Sequence, residues 1–115
     1  MQWDENLLSR IRQLLVDDLE ENERLFSDAE LIEELENAES KNHVLYILYV
    51  QKAGKLVNWE TSIKYIKAGG EELARLNAEE LSKLALKQAE YYKKLWKEEG
   101  DKNENGSVIL FWKKN

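Results

Sequence analysis

Proline is absent from the 115 residues of this chain, so every position after the first has the backbone N–H donor that a helix requires. Long uninterrupted helices are therefore possible anywhere in the sequence. Cysteine is also absent, which excludes disulfides, thiolate metal sites and a cysteine nucleophile. Hydrophobic residues make up 43% of the chain, enough to build a core, and the length suits one compact domain. These features favour a single, mainly α-helical unit.

Apolar residues at helical spacing predict a first, a second and a last helix. The first is expected over residues 4–16. The second begins at Ser27, which forms a capping-box pattern with Glu30. The last begins near Asn77 and should stop at Gly100. One face of this last helix carries the residues expected to be buried, which are Leu81, Leu84, Ala85, Gln88, Tyr92, Leu95 and Trp96.

The middle of the chain is less clear. The run from Val44 to Val50 is rich in strand-forming residues, and by propensity alone it could be a buried strand. The helical pattern of apolar residues nevertheless continues as far as Val57, which favours a helix over residues 42–58. At residues 61–70 the polarity alternates and two glycines follow, which predicts a short extended segment and a turn.

The C-terminal residues 101–115 differ from the rest of the chain. Residues 101–107 are polar and resemble a linker, and the apolar segment that contains Phe111 and Trp112 follows them. In an extended conformation both faces of this segment are apolar. It either packs on the chain's own core or docks on a partner, and the sequence leaves both open. The predicted fold is a four-to-five-helix bundle over residues 1–100, followed by the linker and an extended docking tail.

Catalysis and cofactor binding have no supporting pattern in the sequence. His43 is the only histidine and is typical of a surface or capping residue. The glutamate runs lack the ligand spacing of a calcium loop, and the Gly69-Gly70 pair lacks the lysine and serine of a phosphate loop. We therefore expect no enzyme activity, no catalytic residue, no metal site and no cofactor. The N-terminus does not resemble a signal peptide, and no apolar run is long enough to span a membrane.

Charge is distributed unevenly along the chain. Residues 1–40 carry 13 acidic and 3 basic side chains, whereas the rest of the chain carries 10 acidic and 14 basic ones. Opposite charge on the two parts can attract copies of the chain head to tail. In such a contact we expect Glu33 and Glu36 of one copy to meet Lys87 and Lys94 of the next.

Several motifs, in order along the chain, resemble those of the head–tail connector (adaptor) proteins of tailed bacteriophages and prophages. The resemblance covers about residues 4–97. It is carried by LSRIRQLL at residues 8–15, LFSDAEL at residues 25–31, Trp59 followed by a short segment and Gly69-Gly70, and then Leu84-Ala85 and Tyr91-Tyr92 in the last helix. These motifs are structural and bring no catalytic residue with them.

The resemblance implies a structural protein of the virion neck, made in the host cytoplasm during assembly. Its subunits, which can be monomeric in isolation, would form a twelvefold ring under the portal protein. The ring would continue the DNA channel without specific DNA binding and would present a surface to the next neck or tail protein. Phe111 and Trp112 would dock on the portal or on an adjacent subunit. The alternative is a small helical DNA-binding or regulatory protein that uses the lysines of the last helix, although the net charge of −6 argues against nucleic acid as its main partner.

Overall fold

The computed structural model describes residues 2–69 and 77–108, with side chains described for residues 2–68 and 77–100. Within these residues the chain forms five α-helices and one 3₁₀ turn, and no strand. The helices are α1 (Glu5–Leu15), α2 (Asp28–Asn37), α3 (Lys41–Leu56), α4 (Trp59–Gly69) and α5 (Ala78–Val108), and the 3₁₀ turn is Glu21–Glu23. The predicted helical bundle is confirmed.

Helix α3 is the centre of the bundle. It packs along α5 and also contacts α1, α2 and α4. The main core consists of buried residues from α1, α2, α3, α5 and the connections at the two ends of α2, which are Ile11, Leu15, Phe26, Leu31, Leu35, Ala38, Val44, Leu45, Leu48, Tyr49, Ala53, Ala85 and Ala89. A second, smaller cluster joins Leu56 of α3, Tyr65 of α4 and Leu81 of α5. Helix α3 is thus apolar on most sides, which explains why its sequence also resembles a buried strand.

Side-chain caps set the starts of the helices. Ser27 accepts a hydrogen bond from Glu30 N at 3.1 Å, and Glu30 accepts one from Ser27 N at 2.9 Å, which completes the predicted capping box of α2. Asn77 accepts from Glu80 N at 2.8 Å at the start of α5. Ser40 caps α3 in the same way. The predicted starts of α2 and α5, and a helix rather than a strand at residues 42–58, are confirmed.

The extended segment predicted at residues 61–70 is wrong, because α4 is helical through Gly69. Ser62 and Tyr65 are both buried on one side of this helix, and Ile66 packs beside Tyr65. This is helical spacing, and burial of Tyr65 against Leu56 and Leu81 outweighs the local alternation.

The predicted helix stop at Gly100 is also wrong, because α5 continues to Val108. Gly100 sits in ordinary helical backbone, where a Cβ atom would meet nothing within 4 Å. The cost of about 1 kcal/mol for glycine in a helix is too small to end one. Residues 101–107 are therefore helical rather than a linker. The division at residue 100 stays a prediction, and the tail with Phe111 and Trp112 lies outside the described residues.

Helix α1 ends in a tight turn with left-handed backbone at Val16. Its φ of 56° and ψ of 49° are those of a C-terminal glycine, and valine is strained there. Val16 N donates to Gln13 O at 3.1 Å, and Asp17 N donates to Arg12 O at 2.9 Å. This pair of hydrogen bonds forms a Schellman motif, which turns the chain back toward α2.

Val16→Gly is expected to raise the free energy of unfolding by about 0.5–1 kcal/mol, because relief of the strain exceeds the entropy that glycine adds to the unfolded chain. Urea denaturation measures the change. Val57→Gly is the control, since Val57 is also exposed but has a φ of −66°, where glycine brings no relief. An equal decrease in the free energy of unfolding in the two variants would contradict backbone strain at Val16.

Candidate functional site

Three side chains cap the C-terminal end of α1 and form the floor of the candidate site. The carbonyl oxygens of residues 14, 15 and 16 accept hydrogen bonds, in that order, from the Tyr49 hydroxyl, Lys52 Nζ and the Tyr65 hydroxyl. Lys52 Nζ lies 2.8 Å from its carbonyl partner and 2.8 Å from the Tyr65 hydroxyl oxygen. A positive charge is favourable at the negative end of a helix. Helices α1, α3 and α4 are thereby joined at one point.

Asp17, directly after this turn, is fully buried and organises the chain between α1 and α2. Its carboxylate accepts hydrogen bonds from Leu25 N at 2.7 Å, Phe26 N at 3.0 Å and Arg12 at 3.1 Å. Arg12 also binds Asp28 at 2.6 Å. Burial raises the pKa of Asp17, while the two backbone donors and the Arg12 charge act in the opposite direction. The carboxylate holds the loop against the core.

Lys52 is 6% exposed, and burial lowers its pKa to about 8. The charge of Asp17 acts in the opposite direction. Its ammonium lies 4.8 Å from the ring centre of Tyr65 and 5.3 Å from that of Tyr49, within the range of cation–π attraction. Burial raises the pKa of Tyr49 to about 12, and it also raises the pKa of Tyr65. The hydroxyls of both tyrosines therefore stay protonated at neutral pH.

A cleft of about 240 Å³ opens above this floor, between the end of α1 and helices α3, α4 and α5. Val16 and Leu84 are 50% and 47% exposed at the cleft, which gives it an apolar rim. Its volume is below the ~300 Å³ at which pockets for drug-sized ligands begin. The cleft suits one or two anchoring side chains better than a substrate. Its lining comprises Val16, Tyr49, Lys52, Leu56, Tyr65, Leu81, Leu84, Ala85 and Gln88.

An exposed stripe on α5 continues from this cleft. Leu84, Lys87, Tyr91 and Lys94 follow one another at intervals of three and four residues, which places them on one face of the helix. Leu84 is 47% and Tyr91 55% exposed, and both lysines are exposed. We call these four residues the α5 stripe. The structure thus places the predicted contact residues Lys87 and Lys94 beside exposed apolar side chains.

The other two predicted contact residues, Glu33 and Glu36, lie exposed on α2. Beside Glu33, Glu34 accepts a hydrogen bond from Gln51, and Glu30 forms an ion pair with Lys55 at 3.1 Å. These links align α2 antiparallel to α3, so that Glu36 lies toward the start of α3. Glu33 and Glu36 are called the acidic face of α2 below.

Aromatic contacts hold the start of α3 against the second half of α5. The rings of His43 and Trp96 are stacked with centres 4.0 Å apart, and Trp96 Nε1 donates to the Glu39 carboxylate at 3.1 Å. His43 Nδ1 accepts from Glu39 N at 2.9 Å, directly before the N-cap residue Ser40 of α3. Leu56 and Leu81 pack together at the cleft. Glu39 and Trp96 therefore lie at the opposite end of the bundle.

Sequence reasoning missed the buried polar group of Arg12, Asp17, Lys52 and Tyr65. Lys52 did carry a signal, because it falls at the helical spacing of the buried residues in α3. Asp17 carried none, since two of its three partners are backbone N–H groups of a loop. Leu84, expected on the buried face of the last helix, is half exposed at the cleft.

The described side chains contain no group of three or more histidine or acidic residues that could hold a metal ion. Over the same part of the chain, no helix combines the length and the apolar character needed to cross a membrane.

Comparisons with protein-family models, with curated proteins and with solved structures give no significant match. What the chain does is therefore inferred from its surfaces and from the resemblance described above.

Proposed function

We propose that the chain is a structural subunit of the neck of a tailed bacteriophage or prophage, where copies form a ring under the portal protein and connect head to tail. The observation that carries this proposal is the presence of two exposed surfaces of opposite charge on one chain, the acidic face of α2 and the α5 stripe. They lie on different helices of the bundle. Two different surfaces that fit each other form a head-to-tail contact between copies, which generates a ring when the rotation closes.

The composition of the α5 stripe supports a protein contact over a DNA contact. Leu84 and Tyr91 alternate with Lys87 and Lys94, and aromatic and apolar side chains anchor protein interfaces. A DNA-binding face normally shows a basic excess, whereas this chain has a net charge of −6. A negative channel wall also suits passing DNA, because it does not bind the phosphates.

Charge reversal on either surface is expected to weaken ring assembly at least tenfold, because like charges across an interface repel. One variant carries Glu33→Lys with Glu36→Lys, and the other carries Lys87→Glu with Lys94→Glu. All four changes combined should recover part of the loss. Sedimentation with the portal protein present measures assembly.

The matched control for this series is Glu79→Lys combined with Lys83→Glu. These two residues form an exposed i,i+4 pair within α5, so their exchange should leave assembly unchanged. Failure of the combined variant to recover any assembly would contradict a contact between the acidic face and the α5 stripe.

The neck function is tested by disrupting the gene in the genome that carries it. Electron microscopy of induced particles should show DNA-filled or leaking heads without attached tails, and the intact gene supplied separately should restore whole particles. The portal protein should be encoded in the same genome. Normal tailed particles from the disrupted genome, or a genome without a portal gene, would contradict the proposal.

A further inference from the structure

The cleft between α1, α3, α4 and α5 has the properties of a socket for one large apolar side chain. Its walls are aliphatic and aromatic, and its rim exposes Val16 and Leu84. Lys52 and Gln88 are the polar residues that line it besides the tyrosine hydroxyls. Tryptophan fits such a socket, because its large ring buries much surface while its N–H can still find a polar partner.

The chain has four tryptophans, and two of them are already packed. Trp3 packs on the main core, and Trp96 stacks on His43. Trp59 is 69% exposed at the start of α4. Trp112 belongs to residues 109–115, which follow the end of α5 and lie outside the described residues.

Trp112 cannot reach the cleft of its own chain. Val108, the last residue of α5, lies about 30 Å along the helix from Gln88 at the cleft, given a rise of about 1.5 Å per residue. The four residues from there to Trp112 span at most about 14 Å when fully extended. A cleft that received this side chain would therefore have to belong to another copy.

Opposite charges near the cleft and in the tail also favour docking of Trp112 in the cleft. Asp18 is exposed beside the cleft, where its charge acts on Tyr65. In the tail, Lys113 and Lys114 directly follow Trp112. An acidic side chain near the cleft and a basic segment beside the anchor attract each other when Trp112 enters the cleft.

The positions of the tail and the cleft along the bundle also favour a contact between copies. The tail leaves α5 beyond Trp96, at the end where Glu39 is bound, and Glu36 on α2 lies toward this end. The cleft lies toward the other end, and the α5 stripe runs from the cleft at Leu84 to Lys94 near Trp96. The tail and the cleft are thus at opposite ends of the bundle, as a head-to-tail contact between copies requires.

We propose that residues 109–115 of each copy dock into the cleft of the neighbouring copy, with Trp112 as the anchor. This inference rests on the proposed ring and names the contact that closes it. Each contact is small, so pairwise binding is weak and the closed ring gains from the simultaneous engagement of many contacts.

Two complementary variants of the full chain test this contact. Trp112→Ala removes the anchor and keeps the cleft, whereas Leu84→Lys places a charge on the cleft rim and keeps the anchor. Each alone should weaken self-association about 30-fold in sedimentation velocity, as expected for a central anchor. An equimolar mixture should form mainly 1:1 dimers, because only one of the two possible tail-in-cleft contacts in each pair is intact.

Two controls separate the tail from other surfaces. Leu86→Lys alters the same helix at the same 47% exposure but outside the cleft, and Trp59→Ala removes the exposed tryptophan of α4. Both should associate like the unaltered chain. Equal effects of Leu84→Lys and Leu86→Lys, or a loss with Trp59→Ala in place of Trp112→Ala, would overturn the proposal.

Disulfide trapping detects the contact even when binding is weak, because the chain has no cysteine of its own. Gln88→Cys combined with Asn115→Cys should give disulfide-linked dimers and larger products, and Leu86→Cys combined with Asn115→Cys should give few. A disulfide within one chain, or equal yields from both pairs, would overturn the proposal. If copies associate through the tail but the protein has no function in the phage neck, only the neck proposal is refuted. If the chain binds the portal protein but gives no disulfide between the tail and the cleft, only the docking of the tail into the cleft is refuted.

Discussion

Asp17→Asn is expected to lower the free energy of unfolding by about 3 kcal/mol or more, the cost of breaking a buried ion pair by removing one partner. The carboxylate accepts from Leu25 N, Phe26 N and Arg12. An asparagine has one acceptor oxygen, so its NH₂ group must face at least one of these donors. Arg12, which is 5% exposed, would lose the charge of its buried partner and keep Asp28 and the backbone carbonyl of residue 17 as acceptors.

Urea denaturation at neutral pH measures this loss. Asp18→Asn is the matched control, because the neighbouring carboxylate is exposed, and its effect should stay within about 0.5 kcal/mol. If both variants lose the same small amount, Asp17 is not the residue that holds the loop between α1 and α2.

The stability of the protein relative to the Lys52→Met variant is expected to rise by about 2 kcal/mol between pH 8 and pH 10, because Lys52 loses its buried charge over this range. The pKa of Lys52 is lowered from 10.5 to about 8 in the folded chain. Between these values the unfolded chain binds the proton that the folded chain has released, so higher pH favours folding. Below pH 8 the full cost of the buried charge is present.

Lys52→Met provides the control for this profile, since it keeps the length of the side chain and removes the titrating group. Its stability should be nearly flat from pH 8 to pH 9 and begin to fall toward pH 10, where the tyrosines of the unfolded chain start to ionise. Above pH 10 both proteins should lose stability, because the pKa values of Tyr49 and Tyr65 are raised by burial and the unfolded chain ionises its tyrosines first. A flat profile for the unaltered chain would show that Lys52 is solvated.

The helices with strong local signals were predictable from the sequence. A capping box at Ser27 and a cap at Asn77 fix where α2 and α5 begin, and both act within four residues. The length of the apolar pattern identified α3 correctly although its residues favour strands. Local rules were sufficient wherever the deciding contacts lie within one helix.

Helix α4 and the candidate site could not be predicted from the sequence, because they depend on contacts between residues that are distant along the chain. Helix α4 is helical because Tyr65 packs against Leu56 and Leu81 and donates to the carbonyl of Val16, and none of these partners is near in sequence. The cleft arises in the same way, from three chain segments that meet at the end of α1. The contact residues Glu33, Glu36, Lys87 and Lys94 were predicted as exposed charges, but Leu84 and Tyr91 beside the lysines were not predicted as exposed.

Charge asymmetry now has a location in the structure. Two of the exposed acidic side chains of residues 1–40 form the acidic face of α2, and two of the later lysines belong to the α5 stripe. The part of the acidic segment around Asp17 has a different role, because that carboxylate is buried within its own chain.

Cryo-electron microscopy of this chain, purified with the portal protein of the same genome, tests the proposed ring most directly. We predict a closed ring on the portal in which the acidic face of α2 from each copy lies against the α5 stripe of the next. A portal without bound density for this chain, or bound copies that do not contact one another through these two surfaces, would contradict it.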